Sequence, residues 1–194
     1  MAKAPAYYSK WPVYAKQWDA MAVKQSRLPG IRQAAAKLVA DKPVYLKAEK
    51  LTGVPWYMIA ILHYRESSAN FNTQLAQGDP LNRVSTHVPR GRGPFKTWEE
   101  GAYDALVTLK GYNKIIDWRL EKILYYSEVY NGWGYHWRKL PSPYLWGGTT
   151  IQQQGKFVAD GKFSPSTWDT QPGVAAMLSQ MMHLDPSITP IRET

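Results

Sequence analysis

No cysteine occurs among the 194 residues, which excludes disulfides, cysteine-based zinc sites and a cysteine nucleophile. Histidine is scarce: the four residues, His63, His87, His136 and His183, show neither HExxH nor any comparable ligand spacing. The expectation is therefore no metal and no cofactor. The first twenty residues lack the apolar core of about 7–15 residues that a signal peptide needs. The longest apolar run, residues 54–62, contains Pro55 and is far too short to span a bilayer. A protein synthesised in the cytoplasm without a signal peptide and lacking a transmembrane segment is expected. Any substrate beyond the membrane is then reached after release or delivery. Runs of five or more basic residues are missing, as are zinc-finger, RNP and basic-zipper patterns.

What is present points elsewhere. The net charge is +9, so an acidic partner fits: nucleic acid, anionic lipid or an acidic cell envelope. Nucleic acid is not expected, for want of a basic recognition helix. A basic but otherwise neutral-functioning surface is the plain alternative. The chain carries 9 Trp and 13 Tyr, residues that pack cores and also line sugar-binding grooves, where a ring covers a pyranose face and its polar tip reaches a hydroxyl.

With no internal repeat and no Gly/Ser linker, one domain over residues 1–194 is expected, with helices in 10–52 packing on a catalytic core at 54–184 and a loose tail at 185–194. Helices are expected at 11–28, 31–40, 43–52 (stopped by Gly53) and from Pro55 to Ser67. Residues 71–94, with their Gly-Asp-Pro turn signal, read as a small irregular hairpin. Thr97-Trp-Glu-Glu100 has capping-box form and opens a helix to about Lys110. Asp117 can cap the next helix, which ends at Asn131-Gly132. Residues 132–166 are rich in Trp, Pro and Gly and hold at most a short helix, and a last helix is expected near 171–183. The fold class is mainly α with a small β-hairpin element, an α+β chain of two lobes around a cleft.

The most informative stretch ends the fourth helix. At helical spacing Ile59, Leu62, His63 and Glu66 share a stripe, so Glu66 continues an apolar face at a helix C-terminus. Partial burial and the helix dipole both disfavour its ionised form, and a carboxylic acid that keeps its proton near neutral pH can protonate a glycosidic oxygen. The plain alternative is a Glu at a helix end paired with Arg65 or another cation. Thirteen residues on lies Asp79. Two carboxylates flanking one sugar bond with a water between them would invert the anomeric centre, at a separation of roughly 6.5–9.5 Å; ordinary turn chemistry explains Asp79 equally. Tyr130 and Asn131 can supply hydrogen bonds to the acid or to an N-acetyl group, or be a core residue and a helix stop. Glu121 and Glu128, on the same helix, read as solvated rather than catalytic. In the Gly/Pro-rich segment, Tyr144 and Trp146 are expected to form part of a glycan groove; the alternative is a satellite core under a long loop.

These residues, in this order, resemble the lysozyme superfamily, specifically goose-type lysozymes, soluble lytic transglycosylases and small phage endolysins. Glu66-Ser67 at the end of an apolar helix looks like the catalytic Glu-Ser of lytic transglycosylases. The hairpin with Asp79 is similar to the one in which goose-type enzymes carry aspartates, and Val129-Tyr130-Asn131-Gly132 looks like the Tyr-Asn motif that lines their cleft. The resemblance covers residues 50–150. The Gly-Leu-Met-Gln segment typical of transglycosylases is replaced by Gly91-Arg-Gly-Pro-Phe95, and Val129 stands where a small Ala is usual. The resemblance implies a lysozyme-like helical fold, a monomer, and peptidoglycan glycan strands as partner. Cleavage would fall at MurNAc-β-1,4-GlcNAc, with Glu66 and Asp79 catalytic and Ser67, Tyr130, Asn131, Tyr144 and Trp146 binding substrate. Hydrolysis by a muramidase is the first expectation and a lytic transglycosylase the alternative. A non-catalytic wall-binding or phage-structural module, a nucleic-acid-binding helical domain and a chitinase are the other classes left open.

Overall fold

The computed structural model describes residues 4–159 and 161–193; residues 1–3, 160 and 194 of the expected domain lie outside the described residues. The chain is mainly helical with one two-stranded antiparallel sheet, an α+β class. Helices α1 (Tyr7–Ala20), α2 (Leu28–Ala40), α3 (Lys42–Thr52) and α4 (Trp56–Ser67) come first. After a long irregular stretch, α5 (Trp98–Tyr103) runs directly into a π-helical segment, Asp104–Leu109. Then follow α6 (Leu120–Asn131), two short helices α7 (Gly134–Trp137) and α8 (Pro143–Trp146), the hairpin β1 (Lys156–Ala159) and β2 (Lys162–Ser164), and α9 (Val174–Leu184).

The organising element is α4. Trp56 and every residue from Met58 to His63 are buried, so this helix is apolar on nearly all sides rather than along one stripe, the mark of a central helix. It is packed by α2, α3 and α9. Its termini follow from local chemistry: Gly53, at φ 70°, closes α3 in the left-handed conformation, and Pro55 then leads into α4. Inside this core His63 is fully buried among Tyr45, Phe71 and Trp98, with its Nδ1 3.0 Å from the Tyr45 hydroxyl. Burial holds the His63 imidazolium down to a pKa of about 4.

Several expected elements move. The first helix spans 7–20 instead of 11–28, because residues 22–23 find a partner in the tertiary structure: Val23 bridges Thr149, and Thr150 donates its backbone N–H to Ala22. Asp117 does not cap α6; its carboxylate pairs with Arg119 and Lys122 at 2.7 and 3.2 Å. The expected hairpin at 71–94 forms no ladder beyond an isolated bridge, Thr73 to Pro80. Pro80, Pro89 and Pro94 deny it backbone donors, and side chains hold the loop instead: Gln74 Nε2 donates to the Pro80 and Arg83 carbonyls, and Gln77 Nε2 to that of Pro89. The sheet lies in β1–β2, inside the segment expected to hold at most a short helix. Its sequence signal is Asp160-Gly161 between runs containing Phe157, Val158 and Phe163.

The carboxyl-terminal residues are docked rather than loose. Ile188 is buried, the Leu120 N–H donates to the Ile191 carbonyl, and Arg192 pairs with Glu121 at 2.6 Å. Glu121 is 0% exposed, and Glu128, 2% exposed, accepts from the Tyr14 hydroxyl and pairs with Lys10 at 3.4 Å. Neither is solvated: α6 buries both against α1 and the tail, and each carboxylate is matched by a cation, as a buried charge requires.

The depressed His63 pKa carries a stability prediction. The unfolded imidazole, at 6.5, takes up its proton before the folded one does. Stability is therefore fully present above about pH 6.5 and erodes as pH falls toward 4, by up to about 3 kcal/mol. Thermal melts of the wild type between pH 7 and 4 check this, and His63→Gln, whose amide can still accept from Tyr45, is expected to flatten that dependence.

Candidate active site

The last turn of α4 is where the central helix leaves the core. Ser68 and Ala69 follow it at φ 55° and 56°, a left-handed pair of non-glycine residues of the kind that clusters at functional sites. The chain turns sharply there, held by Ser68 N–H to Tyr64 O, Ala69 N–H to His63 O and Lys37 Nζ to Ala69 O. This sharp exit leaves Glu66 at a helix end facing open space.

That space is a groove. A cavity of about 500 Å3 is lined by Arg65, Glu66, Asn131, Tyr135, Tyr144 and the β1 residues Lys156 and Phe157, among others. A second, of about 370 Å3, is lined by Glu66, Ala76, Val88, Pro89, Lys110, Tyr130 and Asn131, with Ala105 and Leu109. Glu66 and Asn131 belong to both, so the two cavities adjoin at these residues. Glu66 is an exposed residue, open to solvent along the groove, with enough protein packed about its carboxyl for partial desolvation to be the largest influence on its pKa. That desolvation raises its pKa, outweighing the Tyr144 hydrogen bond and the positive charges of Arg65 and Lys110, which lower it.

The Tyr144 hydroxyl donates to Glu66 Oε1 at 2.7 Å, fixing the carboxyl's orientation. Tyr144 is in turn held by Arg65, whose guanidinium carbon lies 4.5 Å from the ring centroid. Arg65 does not pair with Glu66. It is turned to Asp169 at 3.3 Å and to the Pro172 carbonyl at 3.0 Å. Asp169 also meets Lys156 at 3.2 Å and accepts from Gln171 N–H at 3.0 Å. Burial alone would raise the Asp169 pKa, but Arg65, Gln171 and Lys156 hold it low, so it stays an anion committed to its cations. The hairpin that completes this side leans on α7: a Cβ at Gly134 would lie 2.8 Å from the Phe157 ring, and Tyr135 Oη accepts the Phe157 N–H at 3.1 Å.

The other expected site residues divide. Tyr130 lines the second cavity and donates its hydroxyl to Leu75 O at 3.1 Å. Asn131 is exposed in the groove, and its amide has no hydrogen bond among the described residues, leaving donor and acceptor open to a ligand. Ser67 lines neither cavity; its hydroxyl donates back to His63 O at 3.3 Å. Trp146 is a core residue, 1% exposed, and offers no face to a sugar. Tyr144, 4% exposed, serves as partner of Glu66 and not as a stacking platform. Trp146 belongs to the main core and not to a satellite under a long loop, whereas Tyr135, though buried, lines the first cavity.

Asp79 lines neither cavity. Its Oδ2 accepts from the Thr86 and His87 N–H groups, each at 3.1 Å, and its Oδ1 faces His87 Nδ1 at 2.8 Å. The His87 and Thr86 donors hold its pKa below the usual carboxylate range. Asp79 therefore anchors the 85–88 loop, whose neighbours Val88 and Pro89 form a wall of the second cavity. It shapes the groove without facing it. Sequence reasoning missed Lys110, Lys156 and Asp169, each an isolated charge in its own segment with no local pattern to mark it. Among the described residues no group of three or more His, Asp or Glu side chains is arranged to hold a metal, and no helix is long and apolar enough to cross a membrane.

Two predictions follow from the packing. Tyr144→Phe removes a hydrogen bond that favours ionised Glu66, so any activity that requires the protonated acid will lose its alkaline limb at higher pH than wild type; a pH–rate profile reads this. Trp146→Ala is expected to cost about 3–5 kcal/mol of stability through a core cavity, measured by denaturant unfolding, instead of selectively weakening glycan binding.

Comparison of the chain with family models, with curated proteins and with solved structures returns no match.

Proposed function

We propose that this protein cleaves the glycan strands of bacterial peptidoglycan at MurNAc-β-1,4-GlcNAc linkages, as a muramidase-type glycosidase of lysozyme-like fold with Glu66 as its general acid. The observation that carries this reading is the setting of Glu66: a solvent-accessible carboxyl that lines both cavities, is raised in pKa by the protein around it and is oriented by the Tyr144 hydroxyl at 2.7 Å. Two cavities that share Glu66 give room for more than one sugar, which suits a polymer strand better than a small closed substrate. In such a reaction Glu66 gives its proton to the bridging oxygen, the leaving sugar departs, and oxocarbenium character develops at the MurNAc anomeric carbon. The Glu66 carboxylate then takes the proton of the incoming nucleophile. Asn131, with both amide functions free in the groove, suits an N-acetyl group beside the reacting centre.

Two endings share this first step. When water attacks, the product is a reducing end. When the MurNAc 6-hydroxyl closes on the same carbon, the product is a 1,6-anhydro end, as in a lytic transglycosylase. One observation favours the second ending: the oxygens of Asp79 are engaged by Thr86 and His87, and Asp169, the other described carboxylate lining the groove, is bound to Arg65 and Lys156. Ring closure needs a single acid–base group, and Glu66 is the one left uncommitted to a cation. The positive surface, +9 overall, suits approach to an acidic wall, and the wall is the proposed site of action after release or delivery.

The test is turbidity loss of permeabilised bacteria, followed by mass spectrometry of the products. Wild type is expected to lyse, and Glu66→Gln to lose at least about a hundredfold in rate. Anhydro ends weigh one water less than reducing ends, so product masses separate the two endings. Unchanged lysis by Glu66→Gln, or activity on chitin without activity on murein, would sink the reading.

A further inference from the structure

Arg65 and Glu66 are neighbours in the last turn of α4 and both line the first cavity, yet no ion pair joins them among the described residues. Tyr144 stands between them. The Arg65 guanidinium carbon lies 4.5 Å from its ring centroid, and its hydroxyl donates to Glu66 Oε1 at 2.7 Å, so cation and acid meet the same phenol, one on its face and the other on its edge. Adjacent residues of a helix point in different directions, but an arginine is long and jointed, and helical geometry alone does not keep it from the next carboxyl. What holds it is Asp169. Arg65, 8% exposed, and Asp169, 3% exposed, form a buried pair at 3.3 Å, and Arg65 also donates to the Pro172 carbonyl at 3.0 Å. The pair does not use the guanidinium up: Arg65 Nε is buried without a hydrogen-bond partner. A buried guanidinium with a spare donor is under-compensated, and the carboxylate form of Glu66 would complete it.

Asp169 is itself pinned. Its Oδ1 receives Lys156 Nζ at 3.2 Å and the Gln171 N–H at 3.0 Å, its Oδ2 receives Arg65, and its backbone carbonyl accepts from Gln152 Nε2 at 2.8 Å. Contacts from α4, β1 and the loops before β1 and α9 therefore fix one carboxylate. A carboxyl that is to give up a proton cannot also serve as counter-ion to a guanidinium, because an adjacent cation favours its ionised form. We infer that Asp169 is a positioning residue for the acid: by holding and neutralising Arg65 on the face of Tyr144, it denies Glu66 the cation beside it in the chain and leaves the carboxyl free to carry a proton. The inference rests on the proposed role of Glu66 and adds what protects that role. Asp169 takes no part in proton transfer. The other titratable groups facing Glu66 are Tyr144 of α8, Tyr130 of α6 and Lys110 beyond the π-helical segment, and none of them needs to change for this restraint to be tested.

The readout is the titration midpoint of the Glu66 carboxyl, followed by NMR of the glutamate carboxyl carbons without any substrate. Glu66→Gln assigns the signal, and thermal melts check that each variant is folded. Asp169→Asn leaves Arg65 unbalanced and is expected to lower the midpoint by about one pH unit. Asp169→Glu, which keeps the charge, restores most of the wild-type value. The double variant Arg65→Met/Asp169→Asn leaves no buried charge over and is expected to titrate within about half a pH unit of wild type. An unaltered or raised midpoint in Asp169→Asn, or a drop that persists in the double variant, overturns the inference. If Asp169→Asn does not fold, the double variant decides alone: a midpoint within about half a pH unit of wild type supports the restraint, and any larger displacement overturns it. If the midpoints behave as expected but no strand is cut, the restraint on Arg65 stands and the proposed reaction falls. If wild type cuts strands and the drop persists in the double variant, the proposed reaction stands and the role of Asp169 falls.

Discussion

The structure depends on α4 being buried on nearly all sides until its last turn. A helix enclosed by α2, α3 and α9 cannot shift along its axis without opening cavities in a close-packed interior, so the point where it emerges is fixed. The residue at that point, Glu66, inherits this rigidity. The left-handed pair Ser68–Ala69 turns the chain away immediately afterwards, which keeps the groove clear in front of the carboxyl.

A second principle governs the charges. Each buried ionisable carboxylate or guanidinium in the described core has a partner: Arg65 with Asp169, Glu121 with Arg192, Glu128 with Lys10, Asp104 with Arg92, Asp79 with the Thr86 and His87 donors. Removing one member of such a pair strands the other in a poorly solvated place, at a cost of several kcal/mol. These pairs brace the scaffold around the groove. Glu66 and Lys110 are exposed, carry no ion pair among the described residues, and line the same cavity. Groups left electrostatically unfinished in a concave site are the ones an incoming ligand can complete.

The braces also show how distant segments cooperate. Tyr144 comes from α8, Arg65 from α4, Asp169 from the loop before α9 and Lys156 from β1, and together they form a chain of contacts that ends on the Glu66 oxygen. Its effect is orientation. The hydrogen bond from Tyr144 lowers the Glu66 pKa while partial desolvation raises it by more, so the acid is held in position with its pKa above the usual carboxylate value.

Much was legible from the residues alone wherever the information is local. Gly53 ended α3, Thr97 capped α5 by accepting from Glu100 N–H at 3.3 Å, Gly132 closed α6, and Glu66, Tyr130 and Asn131 line one cavity. What failed was non-local. Residues 71–94 carried β-like stretches, but their prolines and side-chain-to-backbone bonds made an irregular loop, while the ladder formed at 156–164. Trp146 reads as a sugar platform in sequence and became core, and Asp79 reads as a second catalytic carboxylate and became a loop anchor, because in each case the deciding neighbour lies elsewhere in the chain or on a loop whose path is irregular. Periodicity, caps and turn residues specify short-range geometry, since the forces behind them act between residues a few positions apart. Which charges are neutralised, which aromatics are covered and which carboxyl stays uncommitted depend on contacts between segments as distant as residues 66 and 144, and only packing in three dimensions decides them.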